Sequence, residues 1–169
     1  MKKIIVLVLV LCGFYSCKEV SSNEEYEKIN WKARIATINP IDSLESGKSY
    51  LSVYSQIYSY TQHKTYNLTA MISVRNTSDK DSIYLSNIKY YDTHGVLLKT
   101  YFEKPVYVTP METLDIVINE VDISGGTGGN FIFDWQIPRS CSEPIFEGVM
   151  TSTSGQQGLS FLTEGKRID

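Results

Sequence analysis

The chain has 169 residues, with 16 Lys and Arg against 19 Asp and Glu, two histidines, three cysteines and 12 tyrosines. A net charge of −3 excludes the basic footprint that nucleic-acid binding needs, and so few histidines and cysteines exclude a Cys-rich zinc site of about four ligands. The length suffices for one domain with a proper core and is short for two.

The chain opens with Lys2 and Lys3, an apolar run from Ile4 to Leu11, then Gly13-Phe14-Tyr15-Ser16-Cys17. This is the charge, core and cleavage plan of a secretory signal, and the run is too short to span a bilayer permanently. A cysteine directly after a small residue at the end of such a run is where bacterial lipoproteins are cut and acylated. Phe14-Tyr15-Ser16-Cys17 resembles a relaxed form of that motif. Residues 1–16 are therefore expected to be a lipoprotein signal peptide, with Cys17 lipidated and membrane lipid as its partner. Cleavage before Cys17 removes Lys2 and Lys3 and leaves 153 residues, with 14 basic side chains against 19 acidic and a net charge of about −5. Anionic head groups repel a domain of that charge, so anchoring falls to the lipid. Cys12 leaves with the signal and Cys17 carries lipid, so Cys141 is the single thiol of the mature domain and no internal disulfide forms. It is expected to be a partly buried small residue.

Residues Lys18 to Glu27, "KEVSSNEEYE", are polar and acidic, the composition of a tether that cannot bury enough surface to fold. A short helix over residues 24–33 is compatible with the sequence. The expected organisation is signal 1–16, lipidated cysteine and tether 17–48, and a folded domain over 49–169.

From Tyr50 onward the apolar period is two. "NLTAMISV" puts Leu68, Ala70, Ile72 and Val74 on one face, "ETLDIVIN" does the same with Leu114, Ile116 and Ile118, and "NFIFDWQI" with Phe131, Phe133, Trp135 and Ile137. In "DSIYLSNIKYYD" the apolar phase moves from Ile83 and Leu85 to Ile88 and Tyr90, which predicts a bulge near Ser86-Asn87. Turn chemistry separates the runs, as in "RNTSDKDS", "DTHG", "TPME" and "SGGTGG". The pattern predicts an all-β fold, a single immunoglobulin-like antiparallel β-sandwich of seven to nine strands. No internal repeat is evident, which disfavours a propeller or solenoid.

The loop at Gly125, Gly126, Thr127, Gly128, Gly129 and Asn130 is the candidate binding loop. It lacks the Lys-Ser/Thr of a P-loop and leads into a strand, so no helix dipole is available for an anion. A wide, mobile hairpin loop with several residues at positive φ is the favoured reading, and a small nest of backbone amides the other. Asp92 and His94 in "YYDTHGV" suggest catalysis at first sight, yet Asp first and Gly fourth is ordinary turn chemistry, and no G-x-S-x-G elbow is present. Asp115, Glu120, Asp122 and Asp134 could offer oxygens to calcium but lack EF-hand spacing.

"SYLSVYSQIYSY", "ISVRNTS", "KYYDTHGVLLKTY", "DISGGTGGNFIFDW" and "EPIFEGVMTSTSGQQGLSF" together give the chain its resemblance to a family of bacterial envelope proteins, domain of unknown function thirty-one twenty-four. The resemblance covers about Tyr50 to Arg167. It implies an envelope-facing, often lipidated domain and carries over no catalytic residues. The sequence is thus expected to encode a lipid-anchored envelope domain, outer-membrane in location, that binds an envelope protein or glycan without catalysis and without a cofactor. The rivals are a hydrolase with a dispersed site around His94, Asp92 and Glu147, and a purely structural envelope protein.

Overall fold

The computed structural model describes residues 29–39, 43–153 and 158–169. The signal, Cys17 and the first part of the tether lie outside them. Among the described residues the only helical element is one 3-10 turn, Trp31–Arg34. Asn30 caps it, its side chain accepting from the Ala33 amide at 3.2 Å.

Twelve strands follow among the described residues. One sheet holds β12 (Lys166–Arg167), β1 (Leu44–Val53), β9 (Gly129–Pro138), β5 (Ile83–Tyr91) and β6 (Leu97–Thr100) in that order, with β7 (Val106–Val108) also paired to β5. The second sheet is β11 (Leu159–Glu164), β10 (Ile145–Ser152), β4 (Thr69–Arg75) and β8 (Thr113–Ile118). All pairings are antiparallel. A separate hairpin, β2 (Gln56–Ser59) with β3 (Thr61–Asn67), links β1 to β4. The all-β sandwich is as the alternation predicts. The strand count exceeds seven to nine because β6, β7, β12 and the hairpin are short or exposed and show little apolar alternation.

The two inner faces meet through the period-two residues. Leu68, Ala70, Ile72 and Val74 face Phe131, Phe133, Trp135 and Ile137 across the core, all of them essentially inaccessible to solvent. Phe133 of one sheet stacks on Phe146 of the other at 4.2 Å, an offset pairing that adds to the burial of the rings. The predicted bulge is present, as the register of β5 on β9 slips between Leu85 and Asn87. The extra residue keeps Ile83 and Leu85 inward while Ile88 and Tyr90 also turn inward, so one strand shows two apolar phases.

The folded part begins earlier than residue 49. Strand β1 starts at Leu44, and Gly47 of that strand lies opposite Trp135, whose ring occupies the space where a side chain would stand. Upstream, Ile35 bridges Val106 and the Ala36 amide donates to the Pro105 carbonyl at 2.8 Å, so residues 29–36 flank β7 rather than serving as free tether. "LESGKS" is polar because its neighbours supply the apolar surface, and that hides a strand from a reading of periodicity.

Candidate functional site

The register places several loops at one end of the sandwich. The Ser55 and Gln56 amides, at the start of the β2–β3 hairpin, both donate to the Gly126 carbonyl, at 3.1 and 3.0 Å. Thr93, in the turn between β5 and β6, donates through its hydroxyl to the Gly125 carbonyl at 2.9 Å. The hairpin, the glycine loop and the Asp92–Gly95 turn therefore form one connected surface.

The hairpin is its most exposed part. Tyr58 pairs with Thr65 but Ser59 pairs with Thr61, so Gln62, His63 and Lys64 bulge out and Tyr60 alone makes the turn. Tyr60 takes a φ of 61° and is 89% exposed, and Tyr58 is 62% exposed. A bulky side chain in the left-handed region is strained, and such strain persists only where the surroundings hold it. Here they do. The Tyr60 and Tyr66 rings meet edge to face at 6.5 Å, with the Lys64 ammonium 5.4 and 5.5 Å from their centroids. Hydrogen bonds with Ser59 and Tyr60, together with the Lys64 charge, hold the Tyr66 phenol below its ordinary pKa range against a smaller opposing effect of burial. Gln56 donates to Thr65 and Asn67, at 3.3 and 2.9 Å, and stiffens the base of the hairpin. An aromatic tip on a braced base can meet a flat apolar surface or a sugar face with little loss of side-chain freedom.

The glycine loop differs from the expected hairpin. It crosses from β8 in one sheet to β9 in the other, strands that are not paired with each other. Within it only Gly126 has positive φ, at 66°. Gly125 and Gly129 are buried, while Gly126, Thr127, Gly128 and Asn130 are partly covered. The Gly125 and Gly126 carbonyls are taken up by Thr93, Ser55 and Gln56. The Asn130 amide donates to the Asp92 and Gly128 carbonyls, both at 3.0 Å, and its oxygen accepts from the Tyr50 hydroxyl. The glycines allow close packing against Tyr90 and Thr93.

The residues of the rival hydrolase are not assembled. Asp92 caps its turn, accepting from the His94 and Val96 amides at 2.8 Å each, and Gly95 supplies the positive φ of 78°. Glu147 lies on β10 in the other sheet, ion-paired to Arg75 at 2.5 Å. The carboxylates considered for calcium are also apart. Asp115 accepts from Ser73, Asp134 faces Lys48 and Asp122 caps Ser124. Among the described residues no three His, Cys, Asp or Glu side chains lie close enough to hold a metal ion, and no helix is long and apolar enough to cross a membrane. Cys141 is a free, partly buried thiol packed against the core.

The hairpin leaves little trace in the sequence because its turn carries no Gly, Asn or Pro. The one available signal was the density of tyrosines in "YSQIYSYTQHKTYN".

A family model described as protein of unknown function, DUF3124, matches residues 46–168. Among solved structures, the crystal structure of Thermotoga maritima 1070 aligns with 71% of this chain and 92% of its own, at 12% identity and a TM-score of 0.46. No curated protein matches the chain.

Proposed function

The chain belongs to the DUF3124 family of proteins of unknown function, which brings it no activity, and we propose, from its N-terminal sequence and from the geometry of its folded part, a lipid-anchored domain of the bacterial envelope that works as a non-catalytic binding or adaptor module. One observation supports the binding role above the others. The most exposed large side chain of the described core and hairpin, Tyr60, is held at a strained φ on a braced tip beside exposed Tyr58. Exposed aromatic side chains that cost stability are retained for recognition. The partner class that suits them is an envelope protein or glycan.

The anchor rests on the sequence alone, on Cys17 after the apolar run. Outer-membrane location is part of the same proposal, and the acidic residues that follow Cys17 are what supports it. Two experiments test the reading. Cells fed a clickable fatty acid should label the wild-type protein and not Cys17→Ser, and equal labelling would sink the anchor. Pull-down from solubilised envelopes with the native protein and with a Tyr58→Ser/Tyr60→Ser variant should give a partner retained only by the former. Identical captures would remove the hairpin from recognition.

A further inference from the structure

We propose that the β6–β7 edge of the sandwich is the surface on which the domain rests against a phospholipid bilayer, an inference that builds on the acylation of Cys17 and adds which face meets the membrane. Both β6 and β7 flank β5 on the side away from β9, so they form one edge of the larger sheet, covered at β7 by residues 29–36 and open along β6. From Val96 to Thr100 five consecutive residues are exposed, including Val96 at 58%, Leu97 at 48% and Leu98 at 39%. Soluble proteins blunt such edges with charge, proline or a covering segment, because bare apolar edges invite association.

The apolar strip continues into a groove of about 500 Å³ beside the same edge. Trp31 forms part of its wall, packed on Phe102 at 5.0 Å and on Tyr101 at 6.1 Å, and Ile35 is 47% exposed next to it. Lys32, Lys104 and Glu103 are the charged side chains that line it, and the Lys99 ammonium lies 4.4 Å from the Tyr101 ring. Aromatic rings at a polar boundary, aliphatic side chains beyond them and lysines that reach back to phosphate are the composition of a membrane-interface belt. The mature chain is acidic overall, but Lys32, Lys99 and Lys104 outnumber Glu103 here and give this edge the opposite sign, which suits anionic head groups and disfavours a second, like-charged copy.

The covalent geometry points the same way. The groove includes Ile29, twelve residues on from Cys17. Twelve residues span at most about 40 Å when fully extended, and the face at the end of that tether is the one brought to the lipid surface at least cost in chain entropy. The β2–β3 hairpin follows β1, which β9 and β5 separate from this edge, and the part of the connected loop surface that adjoins the edge is the Asp92–Gly95 turn.

The test uses the acylated protein purified from membranes and reconstituted into vesicles of phosphatidylethanolamine with a minority of phosphatidylglycerol and a trace of nitroxide-labelled phospholipid. The chain has two tryptophans and Trp135 is buried, so a change in fluorescence reports on Trp31. Quenching of Trp31 is expected in the wild type, weakened by salt and lost in Leu97→Glu/Lys104→Glu, while both proteins float with the vesicles. Both substituted residues are exposed, so the melting curves should match. If they do not, Lys32→Glu takes the place of the double variant. Flotation with equal quenching in wild type and variant, or with none in either, overturns the proposal. A detergent-solubilised dimer that the double variant dissociates would assign the edge to a second copy and overturn it too. Failure of the wild type to float would refute acylation of Cys17 instead, and the docking proposal falls with it.

Discussion

The hydroxyl of Tyr90 occupies the space that a side chain at Gly125 would need: a Cβ built on Gly125 would stand 1.8 Å from that oxygen and 2.9 Å from the Ser55 hydroxyl. Ser55 and Tyr90 share a buried hydrogen bond at 3.2 Å, and burial pushes the Tyr90 phenol above its ordinary pKa. The glycine loop therefore closes one end of the core.

Gly125→Ala should destabilise the domain by about 1–3 kcal/mol through overpacking. Its φ is not among the positive ones, so the cost comes from the contact alone. Tyr90→Phe in the same chain should recover part of the loss by removing the clashing oxygen. Urea denaturation of the two single variants and the double variant checks this, and strict additivity would show that the loop yields without touching Tyr90.

Trp135 should carry much of the larger sheet's stability. Its ring is covered by the Arg167 guanidinium at 5.1 Å, its indole N–H donates to Ser49 at 3.0 Å, and Gly47 leaves room for it. Trp135→Ala should cost roughly 3–5 kcal/mol, a large share of what a domain of this size has. Gly47→Ala should also destabilise, since its Cβ would lie 2.3 Å from the ring. A melting temperature unchanged in either variant would contradict this packing.

These positions show what a single sequence discloses. The inward faces of β4, β8 and β9 were legible because alternation records burial on one side, and the bulge in β5 was legible because it shifts the apolar phase. Gly47 was not. A glycine in a polar run gives no sign of the tryptophan stacked on it from 88 residues away in sequence. The glycines were legible as a break between strands, but Gly129 and Asn130 already belong to β9, and the pattern does not show that Tyr90, Ser55 and Thr93 pack against the glycines. The aromatic hairpin went unseen because Tyr60 holds a conformation that sequence reading assigns to glycine or asparagine.

Glu112 should give the domain a dependence on acid pH. Burial alone would raise its pKa, but the Arg34 guanidinium, bonded at 2.5 and 3.0 Å, and the hydrogen bonds from Thr109 outweigh it and hold the carboxyl below its usual range. With a folded pKa below the unfolded one, its contribution is full above the ordinary glutamate value of about 4.3 and is lost as pH falls through the folded value. Glu112→Gln should be less stable than wild type by roughly 1 kcal/mol at neutral pH, and the gap should close in acid. Parallel denaturation curves at pH 7 and pH 3 provide the check.

Tyr60 and Met111 are the two non-glycine residues with positive φ among those described, at 61° and 58°. Asparagine tolerates that region better than either. Tyr60→Asn and Met111→Asn should each leave stability unchanged or raise it by about 0.5 kcal/mol. Only the first should reduce partner capture. Thermal melts beside the pull-down separate the effects, and a Tyr60→Asn domain that melts well below wild type would mean that the ring serves the fold.

The ten-residue pairing of β1 with β9, from Leu44 opposite Pro138 to Val53 opposite Gly129, has a consequence in time. β5 depends on the same strand, so neither central ladder can close until the ribosome has delivered most of the chain. Pairings this distant place a domain among the slow folders, on a scale of about milliseconds to seconds. Until β9 arrives, Leu51, Val53, Ile83 and Leu85 lack the strand that completes their side of the core, although β4 with β8 and β5 with β6 and β7 can already pair. The topology thus keeps the two central ladders of the larger sheet, and the side of the core they build, open until β9 at residues 129–138 has been made.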